Sequence, residues 1–295
     1  MRGQGRAAAA TRRRLMRTAR ALWGSTHPGP TLVVTALAVA LGIATGLEPW
    51  RLIVLGIAVL FNQISIGISN DAIDARRDRE VGRTDKPIAR GDVSLGVAWT
   101  VAGASVVISL ALSVLLSPAM AAVNLVALGG GWAYNAGLKA TAFSVVPFIL
   151  SFGLFPSFAT LAAADPRFAA GWASFAGAVL GVAVHLSNVL PDLDDDVRTG
   201  VRGLPHRIGA RASAVVCALA LGAGAGAVLL GPVGGDAASV LPLAWVFFAV
   251  VLGVTIAALL VALFRPPGRA VFRLVMLAAL LLAAQLVATG PALAG

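Results

Sequence analysis

Apolar runs recur at about 31 to 46, 52 to 69, 95 to 115, 120 to 136, 142 to 162, 169 to 190, 212 to 230, 240 to 264 and 272 to 293, with the polar residues gathered between them. Several approach the roughly 20 residues that a helix needs to cross a bilayer. The pattern predicts an all-α, multi-pass transmembrane helical bundle of about nine spans, the first of them short and flanked by proline. Composition agrees, because 58% of residues are hydrophobic and only 12% are charged, where a soluble domain carries roughly 25% charged residues. The single cysteine, Cys217, lies in an apolar run. A disulfide framework and a thiolate metal site are thereby excluded, and a small buried hydrophobe is expected there.

A net charge of +10 raises the question of nucleic acid, and the placement of the charge answers it. With the N-terminus in the cytoplasm, 21 of the 23 basic residues fall on the cytoplasmic side, and only Arg51 and Arg167 lie across the membrane. Such asymmetry is the positive-inside rule, so no nucleic-acid partner is needed to explain it. It predicts an integral protein of a bacterial-type cell membrane with its N-terminus in. Residues 1–22, rich in Arg and Ala, are expected to form a flexible basic segment, and residues 23–295 a single transmembrane domain. His27, in His27-Pro28-Gly29-Pro30, reads as a loop residue.

The chemistry concentrates after the second apolar run, at Asn70-Asp71-Ala72-Ile73-Asp74-Ala75-Arg76-Arg77-Asp78. If the helix continues, Asn70, Asp74 and Asp78 stand at i, i+4 and i+8 on one face, with Asp71 beside them. Like charges so spaced repel unless a cation lies between them. Oxygen-only donors favour a hard ion such as Mg²⁺, which keeps several waters and takes up phosphate oxygens.

A second acidic stretch follows the sixth run, Asn188-Val189-Leu190-Pro191-Asp192-Leu193-Asp194-Asp195-Asp196. When Asp78 is aligned with Asp196, Gly82 and Gly200 coincide, Arg83 and Arg202 nearly so, and Pro87 and Pro205 coincide again. This is a worn internal repeat, and it predicts two cytoplasmic Asp-rich half-sites facing a central cavity. The two clusters hold seven of the chain's 13 acidic residues. Ionisable groups abutting membrane spans mark functional sites. Arg83, Lys86 and Arg90 place cations beside the first cluster, a combination suited to a metal-bridged diphosphate. Tyr134 and Lys139 lie between the fourth and fifth runs. They read either as an interfacial aromatic with a snorkelling lysine or as a pocket wall with a phosphate ligand. His185 reads as a satisfied interior polar group.

Asn70-x3-Asp74-x3-Asp78, Asp192-x3-Asp196, Arg83-Thr84, Lys86-Pro87, the Tyr134 to Lys139 loop and Gly200-x-Arg202 together resemble the UbiA-type intramembrane prenyltransferase superfamily, over about residues 20 to 293. The resemblance implies that Asn70, Asp74, Asp78, Asp192 and Asp196 hold Mg²⁺ bridging an isoprenyl diphosphate. It gives phosphate contacts to Arg83, Lys139 and Arg202, with Lys86 and Tyr134 completing the substrate site. Asp71 would orient or deprotonate the acceptor. Lys86 stands where relatives often carry Arg, and Arg202 where many carry Lys, so charge is kept while fork geometry changes. The implied activity is prenyl transfer to a small-molecule or lipid acceptor, an aromatic quinone precursor being preferred. The alternatives are an intramembrane terpene cyclase, to which an aromatic content of 6% lends little, and, more distantly, a membrane transporter, whose paired motifs are expected in inverted orientation at mid-membrane.

Overall fold

The computed structural model describes residues 2–190, 193, 200–264 and 269–294. Among them the chain forms ten α-helices and no strand. Helix α1 runs Arg2–Ser25, α2 Pro28–Ala44, α3 Pro49–Glu80, α4 Leu95–Leu116, α5 Pro118–Asn135, α6 Val146–Leu161 and α7 Gly171–Val189. Helices α8 (Leu204–Leu230), α9 (Pro242–Phe264) and α10 (Arg269–Ala288) complete the set.

Each of the nine apolar runs coincides with one of α2 to α10. Six helices are individually long and apolar enough to cross a membrane, or up to seven if the bent pair Met16–Ser25 and Pro28–Ala44 is one span. Large apolar side chains such as Val107, Leu115, Leu219 and Phe264 face outward. That arrangement is costly in water and natural in lipid.

Local chemistry sets the helix ends. Ser117 closes α4 and opens α5, its Oγ accepting from Met120 N, while the same hydroxyl donates to Leu161 O at 2.8 Å. Proline at the first helical position starts α2, α3 and α5, and Pro205 stands second in α8, places where the missing N–H costs nothing. The helices close into a bundle because α2 packs against α3, α6 and α10, while α5 contacts α6 and α7 contacts both α8 and α10. One apolar core of Leu, Val and Ala side chains joins them.

Helix α3 positions the site. Its 32 residues rise about 48 Å, well beyond a hydrocarbon core of about 30 Å. The turns after Ile68 therefore carry their polar face out of the membrane. At the opposite end of α3, Arg51 Nη1 donates to Ala162 O at 2.9 Å, Ala163 O at 3.2 Å and Leu116 O at 3.5 Å. These carbonyls belong to the C-terminal ends of α4 and α6, where a cation meets the negative pole of the helix.

The segment expected to be flexible runs as helix α1. Ala21 is buried in an apolar cluster with Ile68, Ala72 and Ile88, and Leu22 packs against that cluster, so the last turns of α1 are held by apolar contact with α3 and the following loop. The axes of Met16–Ser25 and α2 are bent by 71°. At the bend His27 adopts φ 55, ψ 70, a left-handed conformation uncommon for a residue bearing a Cβ. A Cβ on Gly67 would lie 2.4 Å from Thr26 O, so only glycine lets the bend lie this close to α3.

Candidate active site

The face predicted from the i, i+4, i+8 spacing is formed. Asn70, Asp74 and Asp78 line a polar cavity of about 770 Å³, open mouth included, together with Arg77, Arg83, Lys86, Tyr134, Lys139, His185 and His206. Asp74 and Asp78 are buried at 8% and 3% exposure. Two carboxylates in one buried cavity are tolerable only with counter-charge, and cations supply it. Lys139 Nζ donates to Asp74 Oδ2 at 2.5 Å, and Arg77 Nη2 lies 3.1 Å from the same oxygen and 3.7 Å from Asp78 Oδ1. Lys139 arrives from the short 3-10 turn after α5, so the Tyr134–Lys139 loop meets the first acidic motif directly.

An amide completes the oxygen face. Asn70 Nδ2 donates to Asn135 Oδ1 at 3.0 Å, and Asn135 Nδ2 donates to Ile66 O at 2.9 Å and Ser69 Oγ at 3.0 Å. Among the described residues no three His, Cys, Asp or Glu side chains form a metal-ligating group. Two carboxylates and one amide carbonyl nevertheless suit a hard cation that keeps waters and shares phosphate oxygens.

Asp71 is placed differently. It lies outside the lining of the polar cavity, and its Oδ1 accepts from Lys86 Nζ at 2.6 Å and from His27 Nε2 at 3.0 Å. The carboxylate expected to meet an acceptor thus anchors the ammonium of Lys86, which does line the cavity. His27, read as a loop residue, is the second anchor. Neither the residue type nor the spacing marks it, because 44 residues separate the partners.

Arg83 lines the cavity and is paired with Asp85 through Nε to Oδ1 and Nη2 to Oδ2, both at 2.8 Å. These bonds hold the Asp85 carboxyl well below the usual carboxylate range. Arg202 is exposed and stands outside the cavity lining, although its neighbours Val201 and Gly203 belong to it. Asp192 and Asp196, with Asp194 and Asp195, lie outside the described residues.

A second cavity, of about 820 Å³ with its mouth, is lined mostly by apolar side chains, among them Val34, Leu37, Ile66, Phe148, Phe152, Phe155 and Phe158. Tyr134 lines both cavities. Its ring meets Phe148 edge-on at 5.2 Å and His185 at 5.9 Å. The low overall aromatic content concealed this concentration: four phenylalanines of α6 stand on one wall. Helix α7 backs that wall closely, because a Cβ on Gly177 would lie 2.1 Å from Phe152 O.

The UbiA prenyltransferase family model matches residues 31–281. No curated protein sequence matches. Among solved structures, one of digeranylgeranylglyceryl phosphate synthase superposes with a TM-score of 0.72 at 13% identity, covering 93% of this chain and 99% of that one. An apo UbiA homologue from Aeropyrum pernix K1 gives 0.69 at 17% identity, covering 87% and 96%. A UbiA homologue from Archaeoglobus fulgidus bound to GPP and Mg²⁺ gives 0.69 at 15% identity, covering 91% and 99%. Identities this low speak for a common fold. The family match spans most of the sequence, and the apolar helices make the protein an integral membrane one: the chain belongs to the UbiA prenyltransferase family.

Proposed function

We propose that the chain is a Mg²⁺-dependent transferase that moves an isoprenyl group from an isoprenyl diphosphate to an aromatic acceptor of the quinone-precursor type. The observation that carries this reading is the junction at Tyr134 of a polar, carboxylate- and cation-lined cavity with an apolar, aromatic-walled one. A prenyl diphosphate has the same two-part character. Its head would lie against Asn70, Asp74, Asp78, Lys86 and Lys139, and its tail among Val34, Leu37 and the α6 phenylalanines.

Asn70, Asp74 and Asp78, with Asp192 and Asp196 from the second motif, would hold Mg²⁺. The bound ion supplies charge neutralisation for the diphosphate as it leaves. Lys139, Lys86, Arg83 and Arg202 add fixed positive charge around the same phosphates, favouring the dissociated state over the intact ester. Asp71 and His27 act through Lys86, holding its ammonium at the cavity. The apolar wall keeps water from the allylic cation, and ring faces such as that of Phe148 stabilise it. The acceptor attacks C1 of the isoprenyl group as the C1–O bond to the diphosphate breaks, and the one proton it surrenders passes to the released diphosphate. The basic asymmetry of the sequence supports a cytoplasmic mouth.

The aromatic wall also favours a second reading, in which the cation is quenched internally and the product is cyclic. Diphosphate release from geranyl, farnesyl and geranylgeranyl diphosphates, with and without a panel of aromatic acceptors, separates the two. Acceptor-dependent release that requires Mg²⁺ and is lost in Asp74→Ala and Asp192→Ala is the expected result. Release without acceptor, yielding cyclic hydrocarbons, would establish the cyclase. No release, together with no Mg²⁺-dependent binding of any prenyl diphosphate, would overturn both.

A further inference from the structure

Asn70 carries the one neutral side chain in the proposed cation-binding face, and an amide is useful there only one way round. Its carbonyl oxygen can face a cation, whereas its NH₂ group would repel one. Oxygen and nitrogen are nearly alike in shape, so the direction must be read from the partners.

Those partners form a chain with a fixed end. Ile66 O is a backbone carbonyl and can only accept, and Asn135 faces it at 2.9 Å. The atom of Asn135 on that side must therefore be its Nδ2, which also donates to Ser69 Oγ at 3.0 Å. Oδ1 of Asn135 is left pointing at Asn70, 3.0 Å away, and it accepts. Asn70 must answer with its own Nδ2, so its carbonyl oxygen is the end left for the polar cavity that the residue lines. Asn135 is only 3% exposed, which removes water as a substitute partner. Reversing either amide would set two acceptors against each other beside a helix backbone.

We infer that Asn135 is a positioning residue for the cation site: it fixes the polarity of the Asn70 amide so that oxygen faces the metal. This rests on the proposed role of Asn70 as a Mg²⁺ ligand. Without Asn135 the released NH₂ group has a strong competitor, since the Asp74 carboxylate stands one turn further along the same helical face. Turning towards it would direct the amide nitrogen into the cation site. The residue adjoins Tyr134 at the end of α5, so this bond also ties the Tyr134–Lys139 loop to the first acidic motif.

Mn²⁺, followed by the loss of its free-ion EPR signal, serves as the probe on the full-length protein in nanodiscs with geranyl S-thiolodiphosphate, which does not turn over. Asn135→Leu and the smaller Asn135→Ser are each expected to weaken Mn²⁺ binding by about tenfold or more, the usual effect of losing a partner that orients a metal ligand. Metal-free thermal unfolding identifies which of the two variants is folded, and the folded one is used. The distinguishing arm is Asn70→Asp, which places oxygen at both ends of the side chain so that orientation no longer matters. In that background the same change at Asn135 is expected to cost nothing, returning binding to within about threefold of wild type. An unchanged Mn²⁺ affinity in the folded Asn135 variant would overturn the inference, as would a loss that Asn70→Asp does not reverse. Absence of Mn²⁺ binding by the wild-type protein would instead overturn the assignment of Asn70, and this inference with it.

Discussion

The two ends of α3 treat charge in opposite ways. At the Pro49 end a single guanidinium, that of Arg51, is spent on the carbonyls closing α4 and α6. Beside it the Glu48 carboxylate lies 3.5 Å from Arg51 Nε and accepts from Trp50 Nε1 at 2.8 Å. At the other end Asp74 and Asp78 are buried next to Lys139 and Arg77, with Lys86 held by Asp71, and the groups border open space. Both arrangements are electrostatically balanced. The first is balanced by groups of the protein itself, which is what a staple between helices requires. In the second the cations and oxygens also border a cavity, which leaves them able to take up a ligand carrying both metal and phosphate.

The comparison breaks most visibly if each end is neutralised in turn. Asp74→Asn should lower kcat/KM with a prenyl diphosphate by about 10³-fold, since it removes a proposed metal ligand and the charged partner of Lys139 together. Thermal stability should fall only modestly, because the amide oxygen can still accept from Lys139 and the repulsion between Asp74 and Asp78 is relieved. Arg51→Met should do the reverse. Losing hydrogen bonds from a charged donor to helix-end carbonyls costs about 1.5 to 3 kcal/mol, visible as a lower unfolding temperature in detergent. Steady-state kcat/KM of the folded fraction should stay within about twofold of wild type. A catalytic collapse in Arg51→Met would mean that the two ends are not separable.

The same contrast explains what the sequence made legible. The Asn70, Asp74 and Asp78 face follows from helical periodicity alone, and Lys139 stood out as the only basic residue of its loop. Apolar runs located all nine helices from α2 onward. His27, Asn135 and the α6 phenylalanines were not legible, and for one physical reason. Each acts through a contact made across the bundle, Asn135 reaching back 65 residues to Asn70 and His27 forward 44 to Asp71. Periodicity says which face a side chain occupies, while the partner across the gap depends on helix packing. Asp71 is a further case: the family resemblance implied a role towards the acceptor, while its contacts to Lys86 and His27, across 15 and 44 residues, could be read only from the packing.

The apolar cavity can be tested without touching the charges. Phe148→Leu keeps an apolar side chain near the Tyr134 junction while removing a ring face. If that ring stabilises the allylic cation, kcat should fall by about tenfold while KM for the diphosphate holds, the range expected for a desolvated cation–π contact. A rise in KM with kcat unchanged would assign the ring to tail binding. A change in the ratio of cyclic to transferred product would favour the cyclase reading.

The smallest expected effect sits at the rim. Arg83 borders the polar cavity, yet it is held by Asp85 in a bidentate pair whose side chains are 51% and 60% exposed. Exposed pairs are weak, so Asp85→Asn should lower KM for the prenyl diphosphate by less than about fivefold, as Arg83 turns more of its charge to the phosphates. The sign with pH follows from the Asp85 carboxyl being held below its ordinary range by Arg83. The pair's contribution to stability is present above the unfolded-state value, about 3.9 for an aspartate, and is lost as pH falls from there through the depressed folded value. Wild type and Asp85→Asn should therefore differ by a constant factor between pH 6 and 8 and converge only in strong acid. A difference that varied across the neutral range would point to a group other than Asp85 in control of Arg83.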